Sequence, residues 1–191
     1  YSPTWSGFYE DSDYSSLPAG PAIVSALLER GCTVVFRPHP YSRRHKANGE
    51  ACDRILELLE ADAKETGRPH VFGPAAETEM SVADCFNASD AMVSDVSSLV
   101  SDFLSSNKPF AMAAVSAHGD AFVEEFPLAE AAYVFDMVDG AAIGLDDVLT
   151  DMLGPDSKAE NRKSLRSYYL SETPSEEIVD RFVQTARRFL A

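Results

Sequence analysis

Positive charge is scarce in this chain: 16 Lys and Arg stand against 31 Asp and Glu over 191 residues, a formal net charge of −15 at pH 7. A nucleic-acid binder needs a broad basic face for phosphate backbones, so this balance argues against that class. Cysteine is sparse as well. Cys32, Cys52 and Cys85 lie far apart, with no CxxC and no His at zinc spacing. The expectation is buried free thiols in a reducing compartment rather than a disulfide framework or a zinc site. The same compartment discounts the Asn87-Ala88-Ser89 sequon. No apolar run reaches the length of about 18 residues that spans a bilayer. GxGxxG, GxxxxGK[ST] and GxSxG are all missing, which removes the usual dinucleotide fingerprint, the P-loop and the nucleophile elbow.

What is present suffices for a packed core, since 45% of the residues are apolar. The length suits a single domain over 1–191 or one lobe of a larger enzyme. Acidity is uneven: residues 81–155 carry 13 acidic side chains and one basic one. Against this background Arg37, His39, Arg43, Arg44, His45 and Lys46 form a cationic stretch, free of carboxylates from Arg37 to Gly49. A local basic knot on an acidic chain suggests an anionic ligand; the alternative is a solubilising loop.

Short β-branched runs alternate with helical periodicity. Strands are expected at Tyr1–Thr4, Thr33–Phe36, His70–Phe72, Ala91–Ser94, Phe110–Val115 and Tyr133–Phe135. Helices are expected from Pro18 to Gly31, from Glu50 to Thr66, from Ser81 to Ala88 with Ser81 as cap, and from Val96 to Ser106. Further helices follow near 145–153, 158–169 and 175–190, the last two forming a strandless terminal region over 156–191. The pattern is α/β, a Rossmann-like doubly wound parallel sheet. His118-Gly119-Asp120 follows a strand end, which places it near the site or, the safer reading, in a plain loop; His45 and His70 receive no role.

Ligands of such sheets gather beyond the carboxyl ends of the strands, and three ends here carry polar residues. They are Pro3-Thr4-Trp5, Arg37-Pro38-His39-Pro40 and Ser94-Asp95-Val96-Ser97-Ser98. The last enters a helix directly, where unpaired N–H groups favour an anion and Ser97 and Ser98 add hydroxyl donors. Asp95 or Ser97 serving only as a cap is an equal reading. Arg37 offers a bidentate fork for phosphate, and His39 an acid, a base or a loop hydrogen bond. Asp11-Ser12-Asp13 imitates a DxD metal motif but lacks a supporting strand, and no metal site is expected.

In this order, Tyr1-Ser2-Pro3-Thr4-Trp5, Arg37-Pro38-His39-Pro40, Ala88–Ser98, Asp102-Phe103 and Lys108-Pro109 resemble the CDP-glycerol glycerophosphotransferase family, which builds teichoic-acid-type poly(glycerol phosphate). Two departures are Val96, where the family has Tyr, and Tyr133-Val134-Phe135-Asp136, a remnant of a later motif. The resemblance implies a GT-B fold, with this chain as its C-terminal donor-binding lobe and the N-terminal acceptor lobe lying outside it. It also implies transfer of glycerol phosphate, or a related polyol phosphate, from CDP-glycerol to a lipid-linked or polymeric acceptor, without a cofactor. The location implied is cytoplasmic, peripheral to the cytoplasmic face of the membrane. Thr4, Arg37, Asp95, Ser97 and Ser98 would bind the CDP phosphates, Asp95 by capping the helix and holding the serines. Arg37 and His39 would be catalytic. The alternatives are a GT-B lobe for a nucleotide sugar and a non-catalytic nucleotide-binding domain.

Overall fold

The computed structural model describes residues 1–6, 13–171 and 175–190. A four-stranded sheet runs in the order β1 (Met92–Ser94), β2 (Phe110–Ala114), β3 (Tyr133–Val138) and β4 (Ala141–Ile143). The first three strands are parallel and β4 is antiparallel to β3. Three further segments extend the sheet beyond β1 through single bridges. Ser2 pairs with Ser94, and Val35 with Val71. Between them the Arg37 N–H donates to the Tyr1 carbonyl (3.0 Å) and the Tyr1 amine to the Val35 carbonyl (2.7 Å). The spatial order is therefore 70–72, 34–36, 1–3, β1, β2, β3, β4, that of a doubly wound sheet.

The expected strands at 1–4, 33–36 and 70–72 shrink to these bridges for a reason visible in the chain. Pro3 interrupts the first, Pro38 and Pro40 close the second, and Pro69 and Pro74 bracket the third, each lacking the N–H that a ladder needs.

Period-two alternation divides the sheet's side chains between two cores. Val93, Ala111, Ala113, Tyr133 and Phe135 join Ile23, Leu27, Ile55 and Leu59 on one face. These last four come from α1 (Gly20–Glu29) and α2 (Lys46–Thr66). Leu145 and Leu149 of α6 (Leu145–Met152) close the same face. Met92, Phe110, Met112 and Ala114 point the other way. They meet Val100 and Phe103 of α4 (Ser98–Phe103) and Phe122 of α5 (Gly119–Glu125). Of the thiols, Cys52 and Cys85 are buried and Cys32 is half-buried.

Differences from the expected elements have local causes. Helix α2 starts at Lys46, four residues early, with extended His45 before it, and ends where Gly67 turns left-handed (φ 75°). The helix expected over Val96–Ser106 is α4 followed by a 3₁₀ turn, Leu104–Ser106. The strand at Tyr133 runs on into a hairpin with β4, turning at Asp139-Gly140, both with positive φ (50° and 79°). The loop at His118 opens α5. Helix α3 (Val82–Ala88) forms as expected, with the reciprocal Ser81–Asp84 capping box.

Beyond the sheet, α7 (Ala159–Leu170) is fastened by one buried cluster. Arg162, with a side chain only 2% exposed, grips Asp156 with both terminal nitrogens (3.1 and 2.5 Å). Its Nε donates to the Asn107 carbonyl (3.0 Å), and the Tyr133 hydroxyl donates to Asp156 (2.9 Å). The last helix is α8 (Ser175–Leu190).

Candidate functional site

Segment 1–3 and β1 are neighbours in space but remote in sequence, and their carboxyl ends part at the point where the sheet order reverses. Asp95 lies in that cleft with no exposed surface. One carboxylate oxygen accepts the Thr4 N–H (2.8 Å); the other accepts both the N–H and the hydroxyl of Ser16 (2.8 Å each). Ser16 Oγ also lies 2.8 Å from the Tyr1 hydroxyl. Burial pushes the Asp95 carboxyl up to about 6, while the Ser16 and Thr4 donors pull it back. The expected cap role is therefore corrected. Asp95 ties Thr4 to Ser16, on the chain stretch between segment 1–3 and the first helical turn, and leaves the helix to Ser97, whose hydroxyl accepts the Leu99 N–H (3.3 Å). Ser98, the first residue of α4, is exposed.

Arg37 ends the 34–36 segment, but its Nη1 is committed to the protein. It donates to the carbonyls of Ala76, inside the π-helical turn Ala75–Glu79, and of Met80 just past it (the latter at 2.9 Å). Among the described residues no carboxylate pairs with this guanidinium, and chain carbonyls take the place expected for phosphate on that nitrogen.

His39 sits in an aromatic nest. Its ring stacks on Trp5 (centroids 5.7 Å, 18° between planes) and meets the edge-on ring of Tyr41 (5.4 Å, 71°). The Tyr41 N–H donates to His39 Nδ1 (3.1 Å), so the neutral ring carries its proton on Nε2. Partial burial lowers the His39 pKa, which favours that neutral form.

The remaining cationic residues are largely occupied. Arg43 pairs with Asp53 (2.7 Å) and approaches Glu77 (4.0 Å), Lys46 approaches Glu50 (3.7 Å), and Arg44 lies over the Tyr41 ring (3.7 Å). The acids come from α2 and the 75–79 turn, outside the carboxylate-free window of the sequence.

An open cavity of about 530 Å³ lies beside the start of α4. Ser97 and Ser98 stand on its lining with apolar Val96, Leu104, Met112 and Phe126, and with Tyr169. Thr4, Arg37, His39 and Asp95 do not line it. The structure thus places all five phosphate candidates and His39 at the carboxyl edge but divides them between this cavity and the Asp95–Arg37 side. Sequence reading put His118 at a strand end but gave it no partner. His118 Nδ1 lies 3.4 Å from Asp136, linking the loop after β2 to β3, and the Gly119 N–H approaches the same carboxylate oxygen (3.4 Å). A histidine directly after a strand was the available signal. Among the described residues, no three His, Cys, Asp or Glu are grouped to hold a metal. Asp11 and Ser12 of the DxD-like triplet lie outside the described residues, and Asp13 accepts the Ser15 N–H (3.0 Å).

The model of the CDP-Glycerol:Poly(glycerophosphate) glycerophosphotransferase family matches residues 1–118. The chain belongs to this family. No curated protein and no solved structure matches it. The match covers every segment of the carboxyl edge except Asp136. It also gives the family-like Lys108-Pro109 a physical reading. Lys108 Nζ donates to the carbonyls of Phe86 (2.9 Å) and Ser89 (2.6 Å), closing the end of α3 far from the cavity. Val96 is half-buried against the second core and faces the cavity. No described helix is long and apolar enough to cross a membrane.

Proposed function

We propose that this chain binds CDP-glycerol and acts as the donor lobe, of GT-B type, in transfer of glycerol phosphate to a teichoic-acid-type polymer. The observation that carries the reading is the placement of Ser97 and Ser98, both within the family-matched residues, on a cavity that residues 125–128, Tyr169 and Leu170 complete from beyond the match. Those hydroxyls would receive the diphosphate, with the apolar lining and Tyr169 covering the nucleoside. Thr4, held by Asp95, would border the diphosphate from the neighbouring segment.

In the reaction an acceptor hydroxyl forms a new bond to the phosphorus carrying glycerol. The bond from that phosphorus to the CMP oxygen breaks, and CMP leaves with the electron pair. Catalysis of this kind rests on positioning and on donors aimed at developing charge. His39 would donate Nε2–H to a phosphoryl oxygen, because its Nδ1 is already an acceptor. Arg37 would add positive charge while bracing the 75–79 turn. The base for the hydroxyl proton and the lipid-linked or polymeric acceptor would come from outside this chain, on the cytoplasmic face of the membrane.

Titration calorimetry tests the donor reading. The chain should bind CDP-glycerol and CDP more tightly than CMP, and UDP-sugars more weakly. Ser97→Ala should cost about 0.5–1.5 kcal/mol of that affinity, the worth of a neutral hydrogen bond. Equal affinity for CMP and CDP, or a preference for UDP-sugars, overturns it.

A further inference from the structure

The aromatic nest around His39 continues outward to a guanidinium. Tyr41 is exposed and stands edge-on to both Trp5 (centroids 5.4 Å, 86° between planes) and His39 (5.4 Å, 71°). The Arg44 guanidinium carbon lies 3.7 Å from the centre of the Tyr41 ring. A guanidinium held on a ring face keeps its N–H groups for another partner, in the fork that suits phosphate. The turn beneath is fixed, since the Ser42 N–H donates to the His39 carbonyl and the Arg44 N–H to the Tyr41 carbonyl (2.9 Å each). Carboxylates answer the neighbouring Arg43 and Lys46, whereas among the described residues none pairs with Arg44.

Position decides what this cation would meet. Segment 34–36 and its loop lie on the side of segment 1–3 away from β1. Helix α2, which Arg44 precedes by two residues, packs on the face of the sheet opposite α4. The cavity of Ser97 and Ser98 opens beside α4, so Tyr41 and Arg44 stand on the far side of His39 from it. The inference rests on the donor reading above. With the diphosphate at Ser97 and Ser98 and His39 on the transferred phosphoryl group, in-line displacement brings the acceptor hydroxyl from the side away from CMP. A polyol-phosphate chain entering there offers C–H groups to the Tyr41 and Trp5 rings and a phosphodiester to Arg44. A nucleobase fits less well. Stacking already joins Trp5 to His39 and Arg44 to Tyr41, so these rings leave no open slot for a planar base.

We propose that Tyr41 and Arg44, with Trp5 beside them, form an acceptor subsite that holds a phosphodiester unit of the growing polyol-phosphate chain.

Trp5 is the chain's single tryptophan, so its fluorescence reads the nest directly. Titrating the 191-residue chain with synthetic tetra(glycerol phosphate) near physiological salt should change that emission saturably. Glycerol and inorganic phosphate, each offering half of the contact, should bind at least about tenfold more weakly. Arg44→Gln should weaken the tetramer at least about tenfold, the worth of a charge-assisted hydrogen bond. Tyr41→Ala should weaken it about fivefold and Tyr41→Phe less than about twofold, because the ring carries Arg44. Unfolding temperature should hold in all three variants, since both side chains are exposed. No nucleotide enters this titration, so calorimetry with CDP scores the donor site separately. An emission that the tetramer leaves unchanged overturns the subsite, as does tetramer binding indifferent to Arg44→Gln. Inorganic phosphate binding as tightly as the tetramer overturns the polyol-phosphate assignment. CMP changing the emission in a way that Tyr41→Ala abolishes would make the nest the seat of the donor's base, and overturns it too.

Discussion

Asp95 holds Thr4 and Ser16 together across the stretch that joins them, beside the Ser15 hydroxyl that donates to the Thr4 carbonyl, and its environment makes a definite demand on protonation. Three donors converge on a carboxylate that burial pushes up to about 6, against 3.8 in the unfolded chain. The folded state therefore holds the proton more tightly between those values. This group's contribution to stability is full below pH about 4 and is lost as the pH rises through 6. Comparison with Asp95→Asn isolates this group. The variant should lose about 2–4 kcal/mol, because its amide turns donors toward the Ser16 donors. In urea unfolding the gap between parent and variant should narrow from pH 4 to 6 and level off above. A gap that widens with pH would show that Asp95 titrates below its ordinary value in the fold.

At the scale of elements, α7 lies beyond the family-matched residues and is held by a cluster of few members. Arg162→Ala would leave the Asp156 carboxylate and the Asn107 carbonyl without their buried partner, at a cost of about 3–5 kcal/mol. Hydrogen exchange should locate the loss in α7 while β1 and β2 keep their protection; an unchanged α7 would contradict the anchoring role. Arg162 also holds the Asp156 carboxyl below the usual range, so its support is present at neutral pH and is lost in acid below the unfolded value. This cluster was not legible in the sequence, where Arg162 reads as one more helix charge. Elements with local causes were legible: the Ser81–Asp84 box of α3, the unbroken apolar run of β2 and the Ser97 cap each lie within a few residues. The β4 hairpin carried a legible Asp139-Gly140 signal, but its strand is three residues long and half exposed. The site divides in the same way. Its edge residues follow from strand ends, whereas the partners of Asp95 lie 79 and 91 residues away and those of Arg37 are carbonyls, which no residue type announces.

For the whole molecule, two cores on opposite faces fix a rigid sheet, and every candidate ligand contact stands on its carboxyl edge. Of the cations nearest that edge, Arg43 and Lys46 are answered by Asp53, Glu77 and Glu50, which leaves Arg37 and Arg44 to supply the local positive charge. An anionic donor must therefore approach a molecule of net charge −15 with little local attraction to guide it. Encounter would be slowed, not steered, at long range. Rising ionic strength should then speed capture of CDP-glycerol: between about 20 and 500 mM salt, stopped-flow association should accelerate several-fold, because screening relieves repulsion. A decline over that range would mean that unscreened cations draw the ligand in. The pairing of one basic loop with its own helix thus turns recognition from a matter of long-range field into one of short-range fit.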